Sequence, residues 1–179
     1  MNILIVVDMQ QGFIKSERMS ALEMRILDLL KSGTFDKVIA TRYQNSRNST
    51  YEKLLSWSSM ETAEEQRLAN HYRDYVDLVV DKSIYTCVDG NFLQSLCRLN
   101  GGSYPETVYL VGADTDCCVL TIATGLFEHN IRPVVLTRYC DSAGGPKSHE
   151  AGITCMARLI GERQLVDKCI DSRGDLVGI

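Results

Sequence analysis

The chain has 179 residues, 45% of them hydrophobic and 23% charged, with a formal net charge of −4. This fits one domain over residues 1–179, able to bury a core without disulfides, and excludes a disordered or fibrous chain. The acidic balance argues against nucleic acid as partner, and every apolar run is far shorter than the roughly 20 residues of a membrane span.

The predicted elements alternate in type along the chain. Ile3 to Val7 is a continuous apolar run, the pattern of a strand covered on both faces. Ser20 and Glu23 read as a capping box, with Met19 and Met24 as its staple. Leu22, Ile26, Leu29 and Leu30 share one face of the helix that follows, and Gly33 stops it. Val38-Ile39-Ala40 is a second strand. The stretch from Arg42 to Met60 is polar and loop-like. Thr62 and Glu65 box the start of a short helix to His71. Leu78-Val79-Val80 is a third strand, and Asp89 caps a helix through Phe92, Leu93, Leu96 and Leu99. Val108 to Val111 and Val134 to Leu136 are further strands, each followed by a helix (Cys118 to His129, then Ser148 to Ile160, ended by Gly161). A sixth strand is expected around Gln164 to Ile170. Strand and helix in alternation predict an α/β fold with helices on both sheet faces and ligands at the carboxyl ends of the strands.

Three reactive residue types stand at those ends. Asp8 follows the first strand, Lys82 ends the third, and Cys118 opens the helix behind the fourth, in Gly112-Ala113-Asp114-Thr115-Asp116-Cys117-Cys118. A helix N-terminus and a nearby lysine are expected to lower the pKa of the Cys118 thiol, and a carboxylate can take its proton and return it to a leaving group. Cys117, one residue earlier, is expected to point elsewhere. Each residue alone also has a plain structural role: a turn-capping Asp, a solvated Lys, a buried inert Cys. Their coincidence at one sheet edge carries the functional reading. The seven cysteines, odd in number and in no framework spacing, with no secretory leader, read as reduced thiols of a cytoplasmic protein.

These segments resemble the isochorismatase-like cysteine hydrolases, the superfamily of nicotinamidase and N-carbamoylsarcosine amidohydrolase. Val7-Asp8-Met9-Gln10-Gln11-Gly12-Phe13 is similar to the motif carrying the catalytic Asp, and Asp81-Lys82-Ser83-Ile84-Tyr85 to the segment with the catalytic Lys. Val111 to Val119 is similar to the motif in which Thr-Asp, one variable residue, Cys and Val precede the helix, so that Cys118 is the nucleophile. The resemblance implies a three-layer α/β/α fold with a six-stranded, mostly parallel Rossmann-like sheet. It also implies a cis peptide at Ala113-Asp114 that turns N–H groups toward the substrate oxygen.

One departure bears on cofactors. Nicotinamidases carry an Asp-x-His metal motif after the second strand, where this chain has Thr41-Arg42-Tyr43-Gln44-Asn45, and His71, His129 and His149 show no ligand spacing. No metal or other cofactor is therefore expected. Retention of Cys118 favours thioester chemistry on a C–N bond of a small amide-type substrate. Two rivals stay open: a metal-independent hydrolase of a vinyl ether, and a catalytically idle binding module that keeps the core. Phe13, Tyr43, Trp57 and Tyr85 are the candidate substrate contacts, because long loops at strand ends usually carry binding residues. The expected partners are a small-molecule substrate and further copies of the chain in a homo-oligomer, with no nucleic acid and no membrane.

Overall fold

The structure, a computed structural model, describes residues 1–179. The chain runs β1 (Ile3–Val7), α1 (Glu17–Lys31), β2 (Lys37–Tyr43), α2 (Thr50–Leu55), α3 (Ala63–Gln66), β3 (Leu78–Lys82), α4 (Gly90–Leu99) and β4 (Thr107–Gly112). A π-helical turn (Thr115–Val119) follows, then α5 (Leu120–Glu128), β5 (Arg132–Cys140), α6 (Pro146–Ile160) and β6 (Leu165–Val166). All six strands are parallel, in the order β3-β2-β1-β4-β5-β6. Strand order reverses between β1 and β4, which opens a crevice beyond their carboxyl ends.

The period of two along each strand divides the core. Leu4 and Val6 of β1 pack with Leu22, Ile26 and Leu29 of α1 on one face. Ile3, Ile5 and Val7 pack with Phe92 and Leu96 of α4, Ile122 and Leu126 of α5 and Met156 of α6 on the other. Every β1 side chain is therefore buried, at about 1.5–3 kcal/mol of transfer free energy for each large aliphatic one. β3 is the exposed edge of the sheet, so its burial alternates, with Val79 40% exposed.

Several predicted boundaries move. α1 begins earlier, because Ser16 rather than Ser20 is the cap: its Oγ accepts the Met19 N–H at 3.3 Å. Met19 lies in the core and Met24 is exposed, so there is no staple. The Thr62–Glu65 capping box forms, but α3 stops at Gln66. The segment leaving β1 claims the backbone that would extend it. The Gln11 N–H donates to the Arg67 carbonyl and the Gly12 N–H to that of Glu65, both at 2.9 Å, and the Ala69 N–H donates to the Met9 carbonyl at 2.8 Å. The 42–60 stretch contains α2, capped by Ser49, whose Oγ accepts the Glu52 N–H at 3.1 Å. β6 is only Leu165–Val166. Beyond it the chain is held by a side chain instead of a ladder: the Ile170 N–H donates to the Tyr139 hydroxyl at 2.9 Å.

Candidate active site

Asp8 stands where β1 ends, fully buried and in the left-handed region at φ 48°. Thr41 of the neighbouring β2 holds it twice. The Thr41 Oγ1 accepts the Asp8 N–H at 3.0 Å and donates to Asp8 Oδ1 at 2.6 Å. On the other side β4 approaches so closely that a Cβ on Gly112 would lie 2.2 Å from the Val7 carbonyl oxygen, and its φ is 115°. Only glycine meets both demands.

Lys82 comes from β3, which is not beside β1. β2 runs between them, and the lysine reaches over it, with Nζ 5.1 Å from the centre of the Tyr43 ring. Its ammonium ends 2.7 Å from Asp8 Oδ2 and donates to Cys118 Sγ at 3.3 Å and to the Ile84 carbonyl at 3.1 Å. Burial alone would push this ammonium toward neutrality, but Asp8 and Cys118 opposite it outweigh burial and hold its pKa above the ordinary lysine value.

Cys118 lies in the π-helical turn ahead of α5, 6% exposed. The turn is closed by the Asp114 carbonyl, which accepts the N–H groups of both Cys117 and Val119 at 3.1 Å. The thiol does not have the lowered pKa expected of a helix N-terminus. Burial first, and the Asp8 charge second, push it well above the ordinary thiol range, against the pull of Lys82. The proton thus stays on sulfur in the free site, with the Asp8–Lys82 pair beside it.

The thiol opens on a cavity of about 460 Å³ lined by Phe13, Tyr43, Tyr51, Trp57, Tyr85, Asp114, Cys117 and Ala143 among others. The Phe13 and Trp57 rings are stacked nearly parallel, 14° apart with centroids at 6.3 Å. Tyr51 meets Tyr43 and Tyr85 edge-on at 5.4 and 5.1 Å. The four aromatic residues proposed from sequence all line this cavity. Cys117, expected to point away, lines it as well. Tyr51, Thr41 and the Asp114 side chain were not among the predicted contacts. The one available signal was the aromatic spacing of Tyr43, Tyr51 and Trp57 in the loop.

The peptide between Ala113 and Asp114 is cis. The Ala113 N–H is already given to the Val7 carbonyl at 3.0 Å, so of these two residues only Asp114 keeps an N–H without a protein acceptor. The Asp114 Oδ1 accepts the Ala143 N–H at 2.7 Å. α6 braces the turn from outside. His149 Nδ1 and Thr115 Oγ1 share a hydrogen bond of 2.8 Å, and a Cβ on Gly152 would stand 2.7 Å from the Asp116 backbone nitrogen.

At the end of β2 and just beyond it, Tyr43, Gln44 and Asn45 offer neither imidazole nor carboxylate. The Asn45 amide instead donates to the carbonyls of Trp57 and Ser59. No three His, Cys, Asp or Glu side chains converge as ligands. The donor set does not fit the metal of nicotinamidases. No helix is long and apolar enough to cross a membrane.

An all-parallel sheet between two helical layers, with carboxylate, ammonium and thiol together beyond its strand ends, defines the class: a three-layer α/β protein. Residues 2–167 match the family model described as Isochorismatase domain, and the chain belongs to that family. Among solved structures it is similar to nicotinamidase PncA from Bacillus subtilis (20% identity, TM-score 0.74, covering 90% of this chain and 97% of that one). It is also similar to an isochorismatase-like hydrolase from Alkaliphilus metalliredigens (15%, 0.73, 88% and 91%) and to the yeast nicotinamidase Pnc1p bound to nicotinaldehyde (17%, 0.73, 94% and 100%). At these identities the likeness is one of fold. No curated protein sequence matches the chain.

Proposed function

We propose that the protein is a cysteine hydrolase that cleaves a C–N bond of a small amide-type substrate through a thioester, without a metal. The observation that carries this reading is the single ammonium of Lys82 in contact with both Asp8 Oδ2 and Cys118 Sγ. Cys118 Sγ attacks the substrate carbonyl carbon while Asp8 takes the thiol proton. The raised thiol pKa makes these one event, because no standing thiolate is available. The tetrahedral oxyanion is met by the free N–H of Asp114. Asp8 passes its proton to the departing nitrogen, and ammonia or an amine leaves. Water then attacks the thioester with Asp8 as base, and a carboxylic acid is released. Lys82 orients Asp8 and offsets its charge as sulfur becomes negative. The nicotinamidases among the similar folds support an amide as the bond class.

One observation favours a second reading. A thiol held protonated is also compatible with a vinyl-ether hydrolase, in which Asp8 protonates the substrate and Cys118 forms no bond. Mass spectrometry of the intact protein mixed rapidly with an amide library separates the two. The cysteine hydrolase gives an acyl adduct on Cys118, and Cys118→Ala removes essentially all turnover. Turnover by Cys118→Ala within about tenfold of wild type, a barrier change of only ~1.4 kcal/mol, refutes covalent catalysis. Activity lost to a chelator and restored by zinc or iron would overturn the metal-free mechanism.

A further inference from the structure

The cavity beside Cys118 contains one carboxylate, Asp114, set among the rings of Phe13, Tyr43, Tyr51, Trp57 and Tyr85. Its charge has no protein counterpart. The Lys82 ammonium is committed to Asp8, Cys118 and Ile84. Lys15, the one cation lining the cavity, is 59% exposed and paired with Glu65 at 3.4 Å. Asp114 is fixed in place by the Ala143 N–H on Oδ1, while Oδ2 accepts no hydrogen bond from the protein.

Aromatic faces attract a cation through their quadrupoles, and a carboxylate adds a charge-assisted hydrogen bond. A neutral ligand closing over Asp114 would strip water from an ionised group and return nothing. A ligand with a charged nitrogen supplies what the cavity lacks. We propose that the substrate is an amide, or a related C–N compound, that carries a cationic nitrogen, and that Asp114 selects it. The inference deepens the hydrolase reading by naming the substrate class of the same cavity. Burial, joined by the charges of Asp116, Asp8 and Asp141, pushes the Asp114 carboxyl up to about 6 despite the Ala143 N–H. A ligand cation relieves that repulsion.

Trp57 is the chain's only tryptophan and lines the cavity, so its fluorescence reports occupancy. Wild-type protein is titrated at pH 7.5 with benzylamine and with benzyl alcohol, its neutral isostere; neither contains an amide. Benzylamine is expected to bind at least about tenfold more tightly, the size of one charge-assisted contact. In D114N, shown by circular dichroism to be folded, that ratio is expected to fall to within about twofold. Equal affinities in wild type, a ratio unchanged in D114N, or no fluorescence response to either compound overturns the proposal. Ammonia release from benzamide and 4-(aminomethyl)benzamide is followed in parallel. A binding preference without hydrolysis of either leaves the role of Asp114 standing and counts against the amidase reading. Hydrolysis without a binding preference does the reverse.

Discussion

The Lys82 ammonium lies 2.7 Å from Asp8 Oδ2 although a whole strand, β2, separates the two strands that carry them. Both side chains are almost wholly shielded from water, at 2% and 0% exposure. Removing one partner therefore leaves a bare buried charge. Lys82→Met is expected to cost about 3–5 kcal/mol of stability. Asp8→Asn combined with Lys82→Met should cost less than Lys82→Met alone, because no charge is then left unanswered. Urea denaturation of the three proteins checks this, and a Lys82→Met midpoint equal to wild type would show that the pair is not buried as described.

Thr41 touches Asp8 through both its hydroxyl lone pair and its proton. In the proposed mechanism it is a positioning residue. Thr41→Val is expected to lower kcat by about 10- to 100-fold while KM changes little, as for a group that aligns a catalytic base. Thr41→Ser, which keeps both hydrogen bonds, should restore most of the rate. A Thr41→Ser enzyme as poor as Thr41→Val would mean that the methyl, not the hydroxyl, matters.

The raised pKa of Cys118 predicts an order of alkylation. Thiolate is the reactive form, so limiting iodoacetamide at neutral pH is expected to label the exposed Cys155 and Cys169 before Cys118. Labelling of Cys118 should accelerate only as pH rises beyond the ordinary thiol range. Since the Asp8 charge helps to hold the proton on sulfur, Asp8→Asn should shift that acceleration to lower pH. Peptide mapping by mass spectrometry gives the rates. Fastest labelling at Cys118 at pH 7 would contradict the buried, protonated thiol.

Asp114 contributes to stability with an unusual sign. Its carboxyl is raised to about 6 in the fold from an unfolded value of 3.8. Between these values the folded state holds the extra proton, so stability falls as pH rises through this window. D114N removes the titration and is expected to be more stable than wild type at pH 7, by on the order of 1–3 kcal/mol, with the difference gone below about pH 4. Thermal melts of both proteins from pH 4 to 7.5 decide it. A difference that does not change with pH would place the effect elsewhere.

Sheet and site were legible in the sequence to different depths. β1, β4 and β5 announced themselves because helices cover both faces of the central sheet, which permits unbroken apolar runs. β6 was overdrawn because Ile170 looks like a strand residue but is buried through the Tyr139 hydroxyl. α3 was overdrawn because its carbonyls are used by the Gln11 and Gly12 N–H groups, a tertiary claim that local pattern does not encode. That Asp8, Lys82 and Cys118 meet at one sheet edge followed from strand ends alone. That Lys82 makes the contact by reaching over β2 did not, since strand order is invisible in a single chain. The direction of the Cys118 shift was missed for a related reason: a helix N-terminus is local and readable, whereas burial against Asp8 is tertiary.

Gly152 leaves room for nothing larger than hydrogen between α6 and the backbone of Thr115 and Asp116, so that helix works as a fixed backstop for the turn holding the thiol. The aromatic wall is held by side-chain packing instead, with Tyr51 and Trp57 against Tyr43. Tyr51, Leu55 and Trp57 line the cavity from α2 and the segment just after it, elements separate in the chain from the turn that holds the thiol. Exchange of residues 46–59 can thus retune what the cavity accepts without displacing sulfur. Gly152→Ala, far along the chain and outside the cavity lining, would press on the Thr115–Asp116 backbone and so on the turn that carries Cys118.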